Sequence, residues 1–304
     1  MLQPAPQEGY VHHPDKGPLH YIDWGGNGPF AHLLHANGFC AGTYDPLIRK
    51  MTKDLHIIGS DIRGHGSSPS PTAMPVRHWK IFAEDLHYTI TSLMPPPVIG
   101  IGHSLGAVTT LIAAVRHPEL FSCIILMDPV ILPRRYLLFM RFLRMAGLIK
   151  QFPLAKGARR RKFIFQGKQE AFARFTAGRG IFKTWDPAFV DAYLECGLLE
   201  VDEETAILKC DPELEAQIFE SVPADIWTYV ENVQCPVLAI RGKKSDTFLQ
   251  DAAERLTRSM KDCELVVVDK AGHFVPMEQP DICADHILDF VRRKGLVSHA
   301  PAPA

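Results

Sequence analysis

Short apolar runs alternate along this chain with longer stretches in which apolar residues recur every three or four positions. The short runs, at 30–34, 55–60, 98–102, 123–127, 237–240 and 265–268, have the length and β-branched content of strands buried in a sheet. The longer stretches, at 43–52, 79–94, 104–117, 250–260 and 281–293, predict helices. Pro95, Pro96 and Pro97 stop the second of these, and Pro118 closes the third, because proline has no N–H to continue the ladder and disfavours helix in the residue before it. Residues around 9–13 and 18–24 predict an opening hairpin. Strand and helix in regular alternation are the pattern of a mostly parallel sheet flanked by crossover helices, an α/β fold.

That rhythm stops between about 130 and 233, where the periodicity is helical and no strand pattern stands out. This predicts a helical cap, residues 131–233, inserted into an α/β core made of 1–130 and 234–304. The polar positions of the cap are segregated by charge. Ten basic residues and no acidic one lie between Ile131 and Lys162, and twelve acidic residues face only Lys209 between Asp186 and Asp225. The two halves are expected to neutralise each other. The apolar segment 136–149 is expected to roof an acyl pocket.

Composition removes several function classes. With 46% hydrophobic and 22% charged residues and a formal net charge of −1, the chain is an ordinary folded protein with no global attraction to nucleic acid or an anionic membrane. The N-terminus has no basic, then apolar, signal pattern, and no stretch reaches the roughly 18 apolar residues of a membrane span, so a cytoplasmic location is the default expectation. The C-terminal 298–304, rich in proline and alanine, is expected to be a frayed tail. Seven scattered cysteines without a CxxC pair are expected to be reduced. No cofactor is implied, and the histidines show no metal-ligand spacing along the chain.

The chemistry is concentrated at a strand-to-helix junction, Gly102-His103-Ser104-Leu105-Gly106. A nucleophile on so sharp a turn needs residues without side chains two before and two after it, and Gly102 and Gly106 supply both. Ser104 would then stand at a helix N-terminus, where the Leu105 N–H favours developing negative charge. A serine hydroxyl needs a base, and His273, in the Gly-containing loop after the run at 265–268, fits that role. A second donor to an oxyanion must come from another loop, and the backbone N–H of Asn37 in His35-Ala36-Asn37-Gly38-Phe39 is the candidate.

The stretches Asp61-Ile62-Arg63-Gly64-His65-Gly66-Ser67-Ser68, Gly102–Gly106 and Ala271-Gly272-His273-Phe274-Val275-Pro276 together resemble the α/β-hydrolase superfamily over residues from about 18 to 293, the cap excepted. The resemblance implies an α/β-hydrolase fold, a serine nucleophile at Ser104 and a structural role for His65. Serine at 104 sets the chain apart from the haloalkane dehalogenase and epoxide hydrolase branches, which place aspartate there. His35-Ala36-Asn37-Gly38 departs from the commoner His-Gly loop. Members of the superfamily take the third, acidic residue from either of two strand ends, which are Asp128 and Asp246 here. Asp128 is favoured because it leaves a buried strand, where a carboxylate needs a charged partner, whereas Asp246 follows two lysines in a solvated loop.

The expected activity is hydrolysis of a small-molecule carboxylic ester, thioester or lactone through an acyl-enzyme. An acyl-CoA thioesterase using the basic part of the cap is the alternative. A hydrolase-fold binding protein without chemistry is a further one. A dinucleotide-binding oxidoreductase is disfavoured because the third glycine of its fingerprint would fall on Leu105.

Overall fold

The computed structural model describes residues 5–14, 16–69, 75–177 and 180–297. The frayed tail expected at 298–304 lies outside them. In chain order the first half forms β1 (Gln7–His13), β2 (Gly17–Asp23), β3 (Phe30–Leu34), α1 (Asp45–Ile48), β4 (His56–Ser60), α2 (Lys80–Leu93), β5 (Val98–His103), α3 (Leu105–Arg116) and β6 (Phe121–Met127). The chain then leaves the sheet for α4 (Arg134–Met145), α5 (Pro153–Arg159), β7 (Ile164–Gln166), α6 (Gly167–Phe175), α7 (Pro187–Gly197), β8 (Leu198–Glu200), β9 (Thr205–Leu208), α8 (Pro212–Glu220) and α9 (Ile226–Asn232). It returns with β10 (Val237–Gly242), α10 (Gln250–Ser259), β11 (Cys263–Val268), α11 (Val275–Glu278) and α12 (Pro280–Arg293).

Eight strands form one sheet in the order β1-β2-β4-β3-β5-β6-β10-β11. The pairs β1/β2 and β2/β4 are antiparallel and all the others parallel. Alternation along the central strands sends Leu33, Ile57, Ile99 and Ile101 into a core shared with Leu47, Ile287 and Phe290 on one face. Leu34, Ile58, Val98 and Ile124 point into a second core with Phe82, Leu86, Leu111 and Leu256 on the other. Helices therefore cover both faces, and β5 is buried along its whole length, which is why it reads as an unbroken apolar run. Helix α3 is buried from Leu105 to Ala114, so its position is fixed on every side.

Two local expectations change. The helix expected over 43–52 is a 3-10 turn, Ala41–Tyr44, followed by the single-turn α1, because Pro46 has no N–H with which to continue a helix through that point. The insertion is not purely helical. Strands β7, β9 and β8 form a small antiparallel sheet, and at three or four residues each they are too short to display an alternating pattern. Among the described residues no helix is long and apolar enough to cross a membrane.

Candidate active site

Ser104 sits between β5 and α3 at φ 54° and ψ −112°, a left-handed conformation costing on the order of 1–3 kcal/mol in a residue with a side chain. The surrounding backbone enforces it. The Ser104 N–H donates to the Met127 carbonyl at 3.0 Å, and the Ser104 carbonyl accepts from Val108 N–H at 3.2 Å. A Cβ at Gly102 would lie 2.5 Å from the Ala107 backbone, and one at Gly106 would lie 2.1 Å from the Leu34 carbonyl oxygen. The two glycines thus allow the turn to close and α3 to press against the end of β3.

The Ser104 hydroxyl is 2.9 Å from His273 Nε2, and His273 Nδ1 is 2.8 Å from Asp128 Oδ1. A carboxylate only accepts, so Nδ1 carries the ring proton and Nε2 is left to accept from the serine. Asp128 is fully buried. Its Oδ1 also accepts from the Ser245 hydroxyl at 2.6 Å, and its Oδ2 accepts from Gly242 N–H at 2.9 Å. Gly242 matters twice, since a Cβ there would stand 2.0 Å from the Gly272 carbonyl oxygen in the loop that presents His273. Asp246 is exposed and, among the described residues, accepts only from Thr247 beside it. Of the two acids left open by the sequence, the fold brings Asp128 to His273 and leaves Asp246 in solvent.

The loop after β3 has its N–H groups almost fully engaged. Ala36 N–H donates to the Tyr44 hydroxyl, Phe39 N–H to the Ala36 carbonyl, and Gly38 N–H faces the Cys210 thiol. Asn37 N–H and Leu105 N–H have no protein acceptor among the described residues. The Asn37 side chain is a strut, donating to the Glu215 carbonyl at 3.1 Å and accepting from His65 Nε2 at 3.1 Å. His65 is buried against Asn37.

Two residues not singled out in the sequence join these parts. His103 Nε2–H donates to the His273 carbonyl at 2.9 Å, which leaves Nδ1 to accept from the Tyr44 hydroxyl at 2.6 Å. Tyr44 thereby links the Asn37 loop, the Ser104 turn and the His273 loop. The only local signal for His103 is its place inside the Gly-x-Ser-x-Gly stretch, and Tyr44 carries none. Tyr44→Phe leaves the Ala36 N–H and His103 Nδ1 buried without partners. It is expected to destabilise the fold by about 1–3 kcal/mol in urea denaturation, and an unchanged midpoint would show that the link carries nothing.

Burial also sets a pH dependence. It holds His32, His65 and His103 down at about 3, with a neighbouring histidine adding to the effect in each case. Unfolded histidines take up protons near 6.5, so between about 6.5 and 3 the unfolded chain binds more protons than the native one. Stability conferred by these residues is therefore present above that window and lost as pH falls through it, by up to about 1.4 kcal/mol per pH unit for each histidine. Urea midpoints measured across the window should fall with acidity, and a flat profile down to pH 5 would contradict this.

Side chains from the insertion stand over the Asn37 loop and His273. Trp185 packs on Phe39 and on Phe274, with ring centroids 5.3 and 5.4 Å apart, and Tyr193 packs on Phe39 at 5.3 Å. Phe274 in turn meets the His273 ring at 5.1 Å. Above Gly38, Arg161 donates to Glu215 at 2.8 Å. Arg159 pairs with Glu213 and Glu220, Lys162 pairs with Glu170, and Arg144 donates to the carbonyls of Glu220 and Val222. Among the described residues two of the ten basic residues, Arg159 and Arg161, thus pair with carboxylates of the acidic half, whereas Arg134, Arg135 and Lys162 pair outside it with Glu231, Asp251 and Glu170, so the expected neutralisation is partial.

In the segment 136–149, expected to roof an acyl pocket, α4 buries Leu137 and Met140 and leaves Leu138, Phe139, Phe142 and Met145 exposed, while the aromatic side chains packed on Phe39 are Trp185 and Tyr193. One expectation is corrected here: the cysteines are not all reduced. Cys40, just after the Asn37 loop, forms a disulfide with Cys196 of α7, a pairing across 156 residues that no local spacing could reveal.

A family model described as the alpha/beta hydrolase family matches residues 33–286, and the chain belongs to that family. A 2-(acetamidomethylene)succinate hydrolase of Mesorhizobium japonicum is 25% identical over 283 residues, covering 88% of this chain and 89% of that relative. A solved structure of E-2-(acetamidomethylene)succinate hydrolase superposes with a TM-score of 0.78 at 22% identity, covering 95% of this chain and all of that one. A thioesterase domain from the curacin biosynthetic pathway superposes at 0.72 with 15% identity, covering 94% of this chain and 100% of that one. These structural likenesses speak to the fold.

Proposed function

We propose that the protein is a serine hydrolase that cleaves a carboxylic ester, thioester or lactone through an acyl-enzyme at Ser104. The observation that carries this reading is the unbroken series Ser104 hydroxyl, His273 imidazole and Asp128 carboxylate, with a proton on Nδ1 and a free lone pair on Nε2. As the Ser104 oxygen bonds to the substrate carbonyl carbon, its proton passes to His273 Nε2, and the carbonyl electrons move onto oxygen. The N–H groups of Asn37 and Leu105 receive that oxyanion. Collapse expels the alcohol or thiol, which takes the proton from His273. Water then attacks the acyl carbon, giving its proton to His273, and the second collapse releases the acid and restores Ser104.

Residues 131–233 act in this proposal as a cap whose aromatic wall meets the acyl group. Ser104 is only 6% exposed and touches His273, whose ring meets Phe274 next to Trp185, which favours a short acyl chain. The acyl-CoA reading loses support because Arg159, Arg161 and Lys162 are engaged with Glu213, Glu220, Glu215 and Glu170. Profiling on p-nitrophenyl esters beside acyl-CoAs tests the proposal. Acetate and butyrate esters should turn over faster than laurate, with acyl-CoAs no better than the matching simple thioesters. A marked preference for acyl-CoA that collapses at high salt would replace this reading by the thioesterase one.

A further inference from the structure

We propose that Glu84, His87 and His117 form a binding site for a divalent transition-metal ion, with zinc as its best-matched probe, remote from Ser104. Glu84 and His87 lie three residues apart on α2 and share one face of it. His117 follows α3 and is fixed there by its N–H to the Ala113 carbonyl at 2.8 Å. One ligand atom from each of the three residues lies within 4.8 Å of the other two. The thirteen-residue interval from Ser104 to His117 along α3 puts the cluster about 20 Å from the nucleophile position, at 1.5 Å per residue.

A second observation points to a ligand. Among the described residues His117 Nε2 is a buried nitrogen without a hydrogen-bond partner, and its neighbour Glu84 Oε2 is 3.5 Å away. Buried polar atoms are nearly always satisfied, and an ion is one of the few things that would satisfy this one. Arg116 Nε donates to Glu84 Oε1 at 2.6 Å, which leaves Oε2 to face His117, and Glu119 Oε1 lies near His117 Nδ1 at 3.8 Å, beyond hydrogen-bond distance.

The rings of His87 and His117 stack with centroids 3.9 Å apart and planes 8° from parallel. Two imidazoles and a carboxylate suit zinc and its neighbours, whereas calcium and magnesium favour all-oxygen sets. Imidazole lone pairs lie in the ring plane, so parallel rings cannot meet at one ion. The half-buried His87 must swing out of the stack until the donors are about 3.3 Å apart, as zinc–nitrogen bonds of about 2.0 Å at a tetrahedral angle require. No spacing along the chain shows the site, because thirty residues separate His87 from His117.

The test is calorimetric titration of zinc into the chelator-treated full-length protein, beside His87→Gln and His117→Gln. One equivalent is expected to bind wild type in the micromolar range, and each variant should bind at least about 10-fold more weakly. Zinc should raise the melting temperature of wild type only, and cobalt should give visible bands of four- or five-coordinate geometry that are lost in both variants. His87 is half-buried on a helix surface, so His87→Gln remains informative if His117→Gln folds poorly, with circular dichroism as the control. Absence of binding at millimolar zinc, or equal binding by wild type and a folded His87→Gln, overturns the proposal.

Discussion

Asp128→Asn is expected to lower kcat by up to about 10⁴-fold in a folded protein, while Asp246→Asn changes kcat by no more than about twofold and stability by no more than about 0.5 kcal/mol. The asymmetry follows from what each carboxylate meets. The oxygens of Asp128 accept from three donors: Ser245 and His273 at Oδ1 and Gly242 at Oδ2. An amide offers only one accepting oxygen. If its NH₂ replaces Oδ1, it faces His273 Nδ1, drives the ring proton to Nε2 and leaves nothing to take the Ser104 proton. If the NH₂ replaces Oδ2, it confronts the Gly242 N–H, at a cost of about 1–3 kcal/mol. In both orientations the negative charge opposite the developing imidazolium is gone. Steady-state kinetics on a short ester, with circular dichroism as a folding control, checks both variants. The opposite ranking would move the acid to Asp246.

Ser104→Ala is expected to have the largest effect, a fall in kcat on the order of 10⁶-fold. Adding His273→Ala should then cost almost nothing more, because a base with no hydroxyl to deprotonate has no role left. The Asn37 and Leu105 N–H groups remain in both variants and should sustain a weak residual rate above that of water. Losses that multiplied instead would mean that Ser104 and His273 act on separate steps, contrary to the 2.9 Å contact between them being the working one.

What could be read in the sequence depended on how local the cause was. Gly102 and Gly106 are dictated by backbone within a few residues or on the adjoining strand, so the turn around Ser104 was legible before any fold was known. His273 was legible because its loop directly follows β11. The choice between Asp128 and Asp246 could only be weighted, since the groups that distinguish them, Gly242 and Ser245, lie 114 and 117 residues from Asp128. The Tyr44–His103 link depends on side-chain directions that no periodicity encodes. Apolar composition in 136–149 identified a helix but not its facing: Leu137 and Met140 turn inward while Phe139 and Phe142 do not.

The central claim, that Ser104 is acylated during turnover, is tested most directly with a fluorophosphonate, which reacts only with a serine that a neighbouring base has activated. Intact-mass spectrometry of wild type after brief exposure should show one adduct, mapped by proteolysis to the peptide containing Ser104. The adduct should be absent from Ser104→Ala and form much more slowly in Asp128→Asn. A folded wild-type protein that takes no label, or a label that persists in Ser104→Ala, would contradict the account.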